Sequence, residues 1–271
     1  MQKKNKPIGV FDSGLGGLTV VKTLFEQMPN EDIIYFGDTA RVPYGSRSPE
    51  TIRTYACQDV DFLLRYDVKA IVIACNTADS MARELIKEKY DLPVIGVVEP
   101  AAKKAVSLTE NGKIGVIGTK ATVNSAAYEN AVKAMDPRVR VFSRACPLLV
   151  PLVENGRFRK DDRVVNIILE EYLEPLHREG VDALVLGCTH YPLLKEAVQC
   201  CMPGVKIICS GEASVDMLAE MLTENDLRSE STAEGEHRYF VSDDVKSFTE
   251  NAESFLGRSL DGAVMTAQHF C

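Results

Sequence analysis

AIVIACNTADS (residues 70–80) and ALVLGCTHYPLL (residues 183–194) are built alike: a short aliphatic run, then a cysteine, then small polar residues. An apolar run of four or five residues without polar alternation reads as a strand buried on both faces, the kind found in parallel sheets. Upstream of each lies a second matched pair, KPIGVFDSGLGG (6–17) and GKIGVIGTKATVNS (112–125). The spacing from Ile8 to Cys75 is 67 residues and from Ile114 to Cys188 is 74. Any two βαβ units share part of such a pattern, but a cysteine with hydroxyl neighbours at matched positions argues for an internal duplication with pseudo-twofold symmetry.

Working outward, strands are expected at Ile8–Phe11, Ile33–Phe36, Ala70–Ala74, Val94–Val98, Ile114–Ile117, Val139–Phe142, Ala183–Leu186 and Val205–Cys209. Stretches of helical period separate most of them: Gly17–Gln27, Pro49–Arg65, Thr77–Tyr90, Lys120–Met135 and Asp161–Arg178. The alternation predicts an α/β fold of two similar domains, each a central, mostly parallel sheet flanked by helices, with the active site in the cleft between them. The polar stretch Asn225–His237 reads as a surface loop, followed by a last strand in HRYFVS and a helix over Val245–Leu256. Periodicity does not say which domain those two elements join.

A chain of 271 residues suits two modest domains, and 45% hydrophobic with 26% charged residues is the composition of an ordinary globular protein. The N-terminal MQKKNKPIGVFDSG lacks the apolar core of a secretion signal, and no run of about 18 apolar residues is present to cross a membrane. The eight cysteines are scattered, so they are expected to be reduced in a cytoplasmic protein, and no clustered Cys/His spacing suggests a metal site. A net charge of −8 argues against nucleic-acid binding. Few cations lie near the motifs, Arg41 being the main exception, so an anionic substrate would be held by backbone N–H groups and hydroxyls at helix starts.

In parallel α/β sheets ligands bind beyond the carboxyl ends of the strands, where all four motifs lie. The Asp12–Gly17 loop lacks GxGxxG, so it reads as glycines that let backbone amides approach a small ligand rather than as a dinucleotide loop. Asp12 is either a helix cap or a tuner of a neighbouring catalytic group. Cys75 and Cys188 precede residues able to cap a helix, and a thiol at a helix N-terminus can have its pKa lowered from about 8.5 into the range of roughly 3.5–7.5. A single strand-end cysteine is ordinarily a small buried hydrophobe. A matched pair suggests two acid/base groups, one for each face of a stereocentre. A rival reading makes Cys188 and His190 a nucleophile–base dyad, although residues two apart need not face each other and Cys75 is left without a role. His190 is otherwise a packing or capping residue. Cys57, Cys146, Cys200, Cys201, Cys209 and Cys271 are read as structural or incidental.

Taken in order, IGVFDSGLGGLTV, FGDTARVPYGSRS, ACNTADS, GVVEPA, GVIGTKATVNSAAY, ACPLLVPLVENG and LGCTHYPLL resemble the glutamate racemases of the aspartate/glutamate racemase superfamily, over residues 8 to 212. The resemblance implies racemisation of glutamate without pyridoxal phosphate or metal, supplying D-glutamate to peptidoglycan. It implies Cys75 and Cys188 as the catalytic thiols, the first acting on D-glutamate and the second on L-glutamate, with Asp12, His190 and Glu154 assisting proton transfer. Asp12, Ser13, Tyr44, Gly45, Asn76, Thr77, Thr189 and His190 would bind substrate. Many members are homodimers, and some are regulated by a nucleotide-linked cell-wall precursor. By the same analogy domain one comprises residues 1–97 plus 210–271 and domain two residues 98–209. Ser210-Gly211-Glu212-Ala213-Ser214 departs from the family pattern, which leaves contacts there open. Aspartate racemase is the neighbouring alternative, disfavoured by the PYG and DSGLGG segments. A non-catalytic amino-acid-binding module would not need two matched thiols.

Overall fold

The computed structural model describes residues 3–260 and 264–267; of the segment 210–271 expected in domain one, residues 261–263 and 268–271, including Cys271, lie outside them. The first sheet is built on β1 (Ile8–Asp12), β2 (Ile33–Gly37), β3 (Ala70–Ile73) and β4 (Val94–Ile95), with α1 (Leu18–Gln27), α2 (Pro49–Leu64) and α3 (Asn76–Lys89) between them. After α4 (Val98–Leu108) comes a second series: β5 (Lys113–Gly118), α5 (Lys120–Asn124), α6 (Ala127–Met135) and β6 (Arg140–Ala145). It continues through α7 (Leu149–Glu154), α8 (Arg163–Glu179), β7 (Ala183–Gly187), α9 (Lys195–Cys201) and β8 (Lys206–Cys209). The chain closes with α10 (Ser210–Glu224), β9 (His237–Val241), α11 (Val245–Leu256) and β10 (Val264–Thr266).

The two sheets repeat one topology. The first runs β10-β9-β2-β1-β3-β4 and the second β6-β5-β7-β8, and every pairing is parallel. Each unit therefore has its first strand flanked by its second and third, with its fourth outside the third. After α10, strand β9 extends the first sheet by pairing with β2, Ile33 opposite His237, and β10 pairs in turn with β9. Strands β1, β2, β3 and β7 are buried at every position, as sheets covered by helices on both faces require. The largest apolar cluster runs from the α1 side of the first sheet (Val10, Leu18, Val21) to the α8 side of the second (Leu169, Leu184, Leu186) without a polar break.

Local chemistry explains the helix limits. Ser48 accepts from Thr51 N–H and precedes Pro49 at the first turn of α2, while Asp162 accepts from Val164 and Val165 at the start of α8, each cap being worth about 1 kcal/mol. Two expectations need correction, and one helix had none. The helix predicted over Lys120–Met135 is two, because Ala126 takes a left-handed φ of 53° that breaks the hydrogen-bond ladder. The strand predicted over Val94–Val98 ends at Ile95, since Val98 already starts α4. Helix α7, missed because Pro151 interrupts its pattern, carries Glu154 at its last turn.

Candidate active site

A cavity of about 380 Å³ opens between the carboxyl ends of the two sheets. Among the described residues it is lined from the first unit by Ser13, Gly14, Tyr44, Gly45, Cys75, Asn76 and Thr77, and from the second by Thr119, Lys120, Cys146, Glu154, Cys188, Thr189 and His190. Both thiols are buried in the same wall system, one following β3 and the other following β7, the equivalent strands of the repeat.

Around Cys75 the surroundings are acidic and dry. The residue is the N-cap of α3, and its thiol donates to Ser13 Oγ at 3.6 Å. Burial and the nearby Asp12 carboxylate push this thiol up to about 12, against the opposing pull of the Ala78 N–H and Ser13. The lowering expected from a helix N-terminus is therefore outweighed: desolvation of a thiolate costs more than one terminal N–H returns. Asp12 does not line the cavity. It is fully buried behind the Ser13–Gly14 turn, where Gly14 N–H donates to Oδ2 at 3.0 Å and Thr189 Oγ1 to Oδ1 at 3.4 Å. Burial raises its pKa, with His190 and the Gly14 and Gly17 amides pulling the other way.

Around Cys188 the surroundings are cationic. No α-helix starts there; Cys188-Thr189-His190 leads into a 3-10 turn over Tyr191–Leu194, and α9 begins only at Lys195. Cys188 Sγ lies 3.9 Å from His190 Nδ1, and His190 Nε2 lies 3.1 Å from Glu154 Oε1. The two residues two apart in sequence do approach, which the sequence argument against a dyad did not anticipate. Burial lowers the imidazole's pKa, but the hydrogen bonds it makes to Cys188 and Glu154, with their charges, outweigh it and bring it up to about 10. The raised value favours the protonated imidazole, whose ring stands edge-on to Phe255 at 5.4 Å between centroids.

Glycine is demanded where the two half-sites meet. A Cβ on Gly16 would stand 2.3 Å from Thr189 Oγ1 and 2.6 Å from His190 Nδ1, and one on Gly17 would stand 2.5 Å from Asp12 Cβ. These glycines admit protein neighbours rather than a ligand, which corrects part of the sequence reading; Gly14 alone of the three lines the cavity. Tyr35 Oη donates to Gly14 O at 2.6 Å and fixes the loop from below.

Several expected ligand contacts prove to be busy elsewhere. Asn76 and Thr77 do not cap α3. Asn76 Nδ2 donates to Ser210 Oγ at 3.1 Å, and its Oδ1 accepts from Tyr128 Oη at 2.6 Å. Thr77 Oγ1 lies 3.0 Å from Thr119 Oγ1 and 3.3 Å from Thr122 Oγ1, a hydroxyl cluster spanning the two units. Tyr44 Oη faces the buried Asp38 and Asp59 carboxylates, while Tyr44 and Gly45 both line the cavity. Arg41 is held by the same carboxylates and stacks over Tyr55, 4.1 Å from the ring centroid, away from the cavity lining. Of the departing segment, Ser210 holds Asn76, while Glu212 pairs with Lys195 at 3.2 Å on the surface.

Sequence reasoning missed Thr119, Lys120 and Cys146 as lining residues, although the first two lie in the GTKATVNS motif. Cys146 lies in the ACPLLVPLVENG motif but was read as structural; burial pushes its thiol up to about 12. Among the described residues no group of three or more His, Cys, Asp or Glu side chains could hold a metal ion, and no helix is long and apolar enough to cross a membrane.

Residues 8–218 match the family model described as Asp/Glu/Hydantoin racemase. The chain is 49% identical to the glutamate racemase of Syntrophus aciditrophicus over 94% of each protein. It belongs to the glutamate racemases of this family. It is accordingly an isomerase. Among solved structures it superimposes on a glutamate racemase isoform from Bacillus anthracis with a TM-score of 0.93, at 39% identity and 98% coverage of both chains. Another match is the glutamate racemase of Francisella tularensis in complex with D-glutamate, with a TM-score of 0.89, 40% identity and 97% coverage of both chains.

Proposed function

We propose that this member of the family interconverts L- and D-glutamate by direct proton transfer between two thiols, Cys75 and Cys188, on opposite faces of the α-carbon. The observation that carries this reading is that equivalent strands of two repeated sheets deliver one buried cysteine each to one cavity. In the D-to-L direction Cys75, as thiolate, takes the α-proton, and the Cys188 thiol delivers its own proton to the other face; the enzyme ends as Cys75 thiol and Cys188 thiolate. The L-to-D direction runs the same exchange backwards. No redox change and no covalent intermediate are involved. Neither pyridoxal phosphate nor a metal takes part in the scheme.

Ser13, Tyr44, Gly45, Asn76, Thr77 and Thr189 are read as the substrate cradle, Tyr44 and Gly45 through backbone N–H groups and Asn76 through its second amide hydrogen. Asp12, Glu154 and His190 are read as tuning the thiols, Asp12 through Cys75 and Thr189, and Glu154 through His190. The physiological role that fits is supply of D-glutamate for peptidoglycan in the cytoplasm, by a homodimer. The domain division at residues 1–97 plus 210–271 and 98–209 is supported by the pairing of β9 with β2.

One observation favours a second reading. Cys188, His190 and Glu154 are connected in series at 3.9 and 3.1 Å, as a thiol hydrolase would need. It gives Cys75 no work. Incubating the protein with L-glutamate in D2O without added cofactor, and following optical rotation and α-deuterium, separates the two. Racemisation with solvent deuterium, undiminished by a chelator or an aldehyde trap, is expected, whereas stable rotation would sink the proposal. Turnover of aspartate comparable to that of glutamate would move the substrate assignment, because a cradle fitted to two carboxylates cannot shorten by a methylene.

A further inference from the structure

Asp79 is a buried carboxylate one helical turn after Cys75, and none of the roles above uses it. Its Oδ2 accepts from the backbone N–H groups of Val97 at 2.9 Å and Val98 at 2.7 Å, the start of α4. Helix α4 is the first element after the last strand of the first series, and its Val98, Ala101 and Ala105 pack in one apolar cluster with Ile114, Val116 and Val185 of the second sheet. A side chain from the helix that carries Cys75 therefore caps a helix belonging to the other unit, where a negative charge meets the free N–H groups and the positive end of the helix dipole. The other oxygen, Oδ1, is buried without a hydrogen-bond partner among the described residues, 3.9 Å from Arg83 Nε. The crossover has no slack: a Cβ on Gly96 would stand 1.8 Å from Asp79 Oδ1, and Ser214 Oγ holds Gly96 O at 3.0 Å from the other side.

We propose that Asp79 is a positioning residue for the reaction: by capping α4 across the domain crossover it sets where the first turn of α3, and with it Cys75, stands relative to the Cys188 half of the site. The proposal rests on the two-thiol reading above. The first turn of α3 reaches the second unit at two further points, Asn76 to Tyr128 and Thr77 to Thr119 and Thr122, but both are hydrogen bonds between side chains. Asp79 is the contact that anchors the turn to the crossover backbone itself. Proton transfer between fixed groups loses rate steeply with sub-ångström misplacement, so loosening this anchor acts on turnover before it acts on binding.

The test measures kcat and KM in both directions, with circular-dichroism melting, for the full chain and for Asp79→Ala, Asp79→Asn, Gly96→Ala and the Asp79→Ala/Gly96→Ala double variant. Asp79→Ala is expected to lower kcat at least tenfold in both directions with KM within threefold, while melting stays above the assay temperature. Asp79→Asn, which keeps an acceptor for Val97 and Val98, is expected to stay within threefold of the parent. Gly96→Ala should lose kcat as Asp79→Ala does, by pushing the carboxylate off the helix end. The double variant should be no worse than either single one, because the shortened side chain leaves room for the new methyl; such non-additivity marks a shared mechanism. The inference is overturned if folded Asp79→Ala keeps kcat within threefold of a parent that racemises glutamate, and equally if the losses in the double variant are additive. Should Asp79→Ala fail to fold, Gly96→Ala decides: folded and with kcat within threefold of the parent, it overturns the inference, and folded with kcat at least tenfold down and KM unchanged, it upholds it. A parent that does not racemise glutamate at all is a failure of the two-thiol reading, distinguished by its own rate.

Discussion

The Cys75 and Cys188 half-sites occupy equivalent places in a duplicated fold and have opposite electrostatics. Cys75 caps an α-helix, faces a buried carboxylate and has its thiol pushed up to about 12. Cys188 precedes a 3-10 turn and faces an imidazolium that a carboxylate supports from behind. Duplication supplies two similar thiols, and divergence of their neighbours distinguishes them. In the proposed exchange the proton begins on one side and finishes on the other, and the surroundings of the two sides differ. The strand order is shared between the halves; the local turn and the charge are not.

Removing either thiol tests the comparison most severely. Cys75→Ala and Cys188→Ala are each expected to lose about 10²–10⁴-fold in racemisation rate while calorimetric binding of glutamate stays nearly intact, since inversion needs both groups in each turnover. The mutants should differ in residual exchange: deuterium should enter from D-glutamate where Cys75 remains and from L-glutamate where Cys188 remains. If Cys75→Ala racemises within about threefold of the parent rate, the half-sites are not partners.

A smaller effect is expected where the halves touch. Gly16→Ala places a methyl against Thr189 and His190. Overpacking of this kind costs about 1–3 kcal/mol, so melting should fall by several degrees and kcat with it. An unchanged melting temperature would show that the loop yields freely and that Gly16 does not set the contact.

The imidazolium itself can be titrated. His190 should remain protonated at neutral pH by ¹⁵N NMR, with an apparent pKa near 10. Because the folded-state value lies above the unfolded value of about 6.5, its stabilising contribution is fully present below that pH and disappears as pH rises through about 10. Glu154→Gln should lower the value, by about one unit or less because Glu154 is 47% exposed and screened by water. A neutral imidazole at pH 7 would erase the electrostatic contrast between the half-sites.

The mildest perturbation is the ligand. Saturating glutamate should slow hydrogen exchange in the crossover segments, residues 97–100 and 209–212, because a closed cleft excludes water from a base working on a carbon acid. Unchanged exchange would mean that the two half-sites are already at their working distance.

The strand pattern was legible because buried parallel strands are continuous apolar runs, and most predicted strands match those observed to within a residue or two at each end. Both catalytic candidates were legible as well, since each follows such a run directly. Helix α7 was not, with Pro151 in its short pattern, and Glu154 was reached only through family resemblance. Cys146 lies in the quoted ACPLLVPLVENG motif but was read as structural, because nothing local distinguishes a cavity-lining thiol from a packed one. Family resemblance placed Asn76 and Tyr44 on the substrate, and Arg41 was the main cation near the motifs; the fold engages their side-chain polar groups with Ser210 and Tyr128, or with Asp38 and Asp59.

By itself the sequence determined two α/β units, the duplicated strand-then-cysteine motif and the glycine-rich loop, all of which are local patterns of hydrophobicity and spacing. Tertiary structure alone decided the charge around each thiol. Asp12 lies behind Cys75 and Glu154 behind His190 at separations of 63 and 36 residues along the chain. Electrostatic energy depends on distance in space and on the water excluded between the groups, and neither quantity is written in the order of the residues.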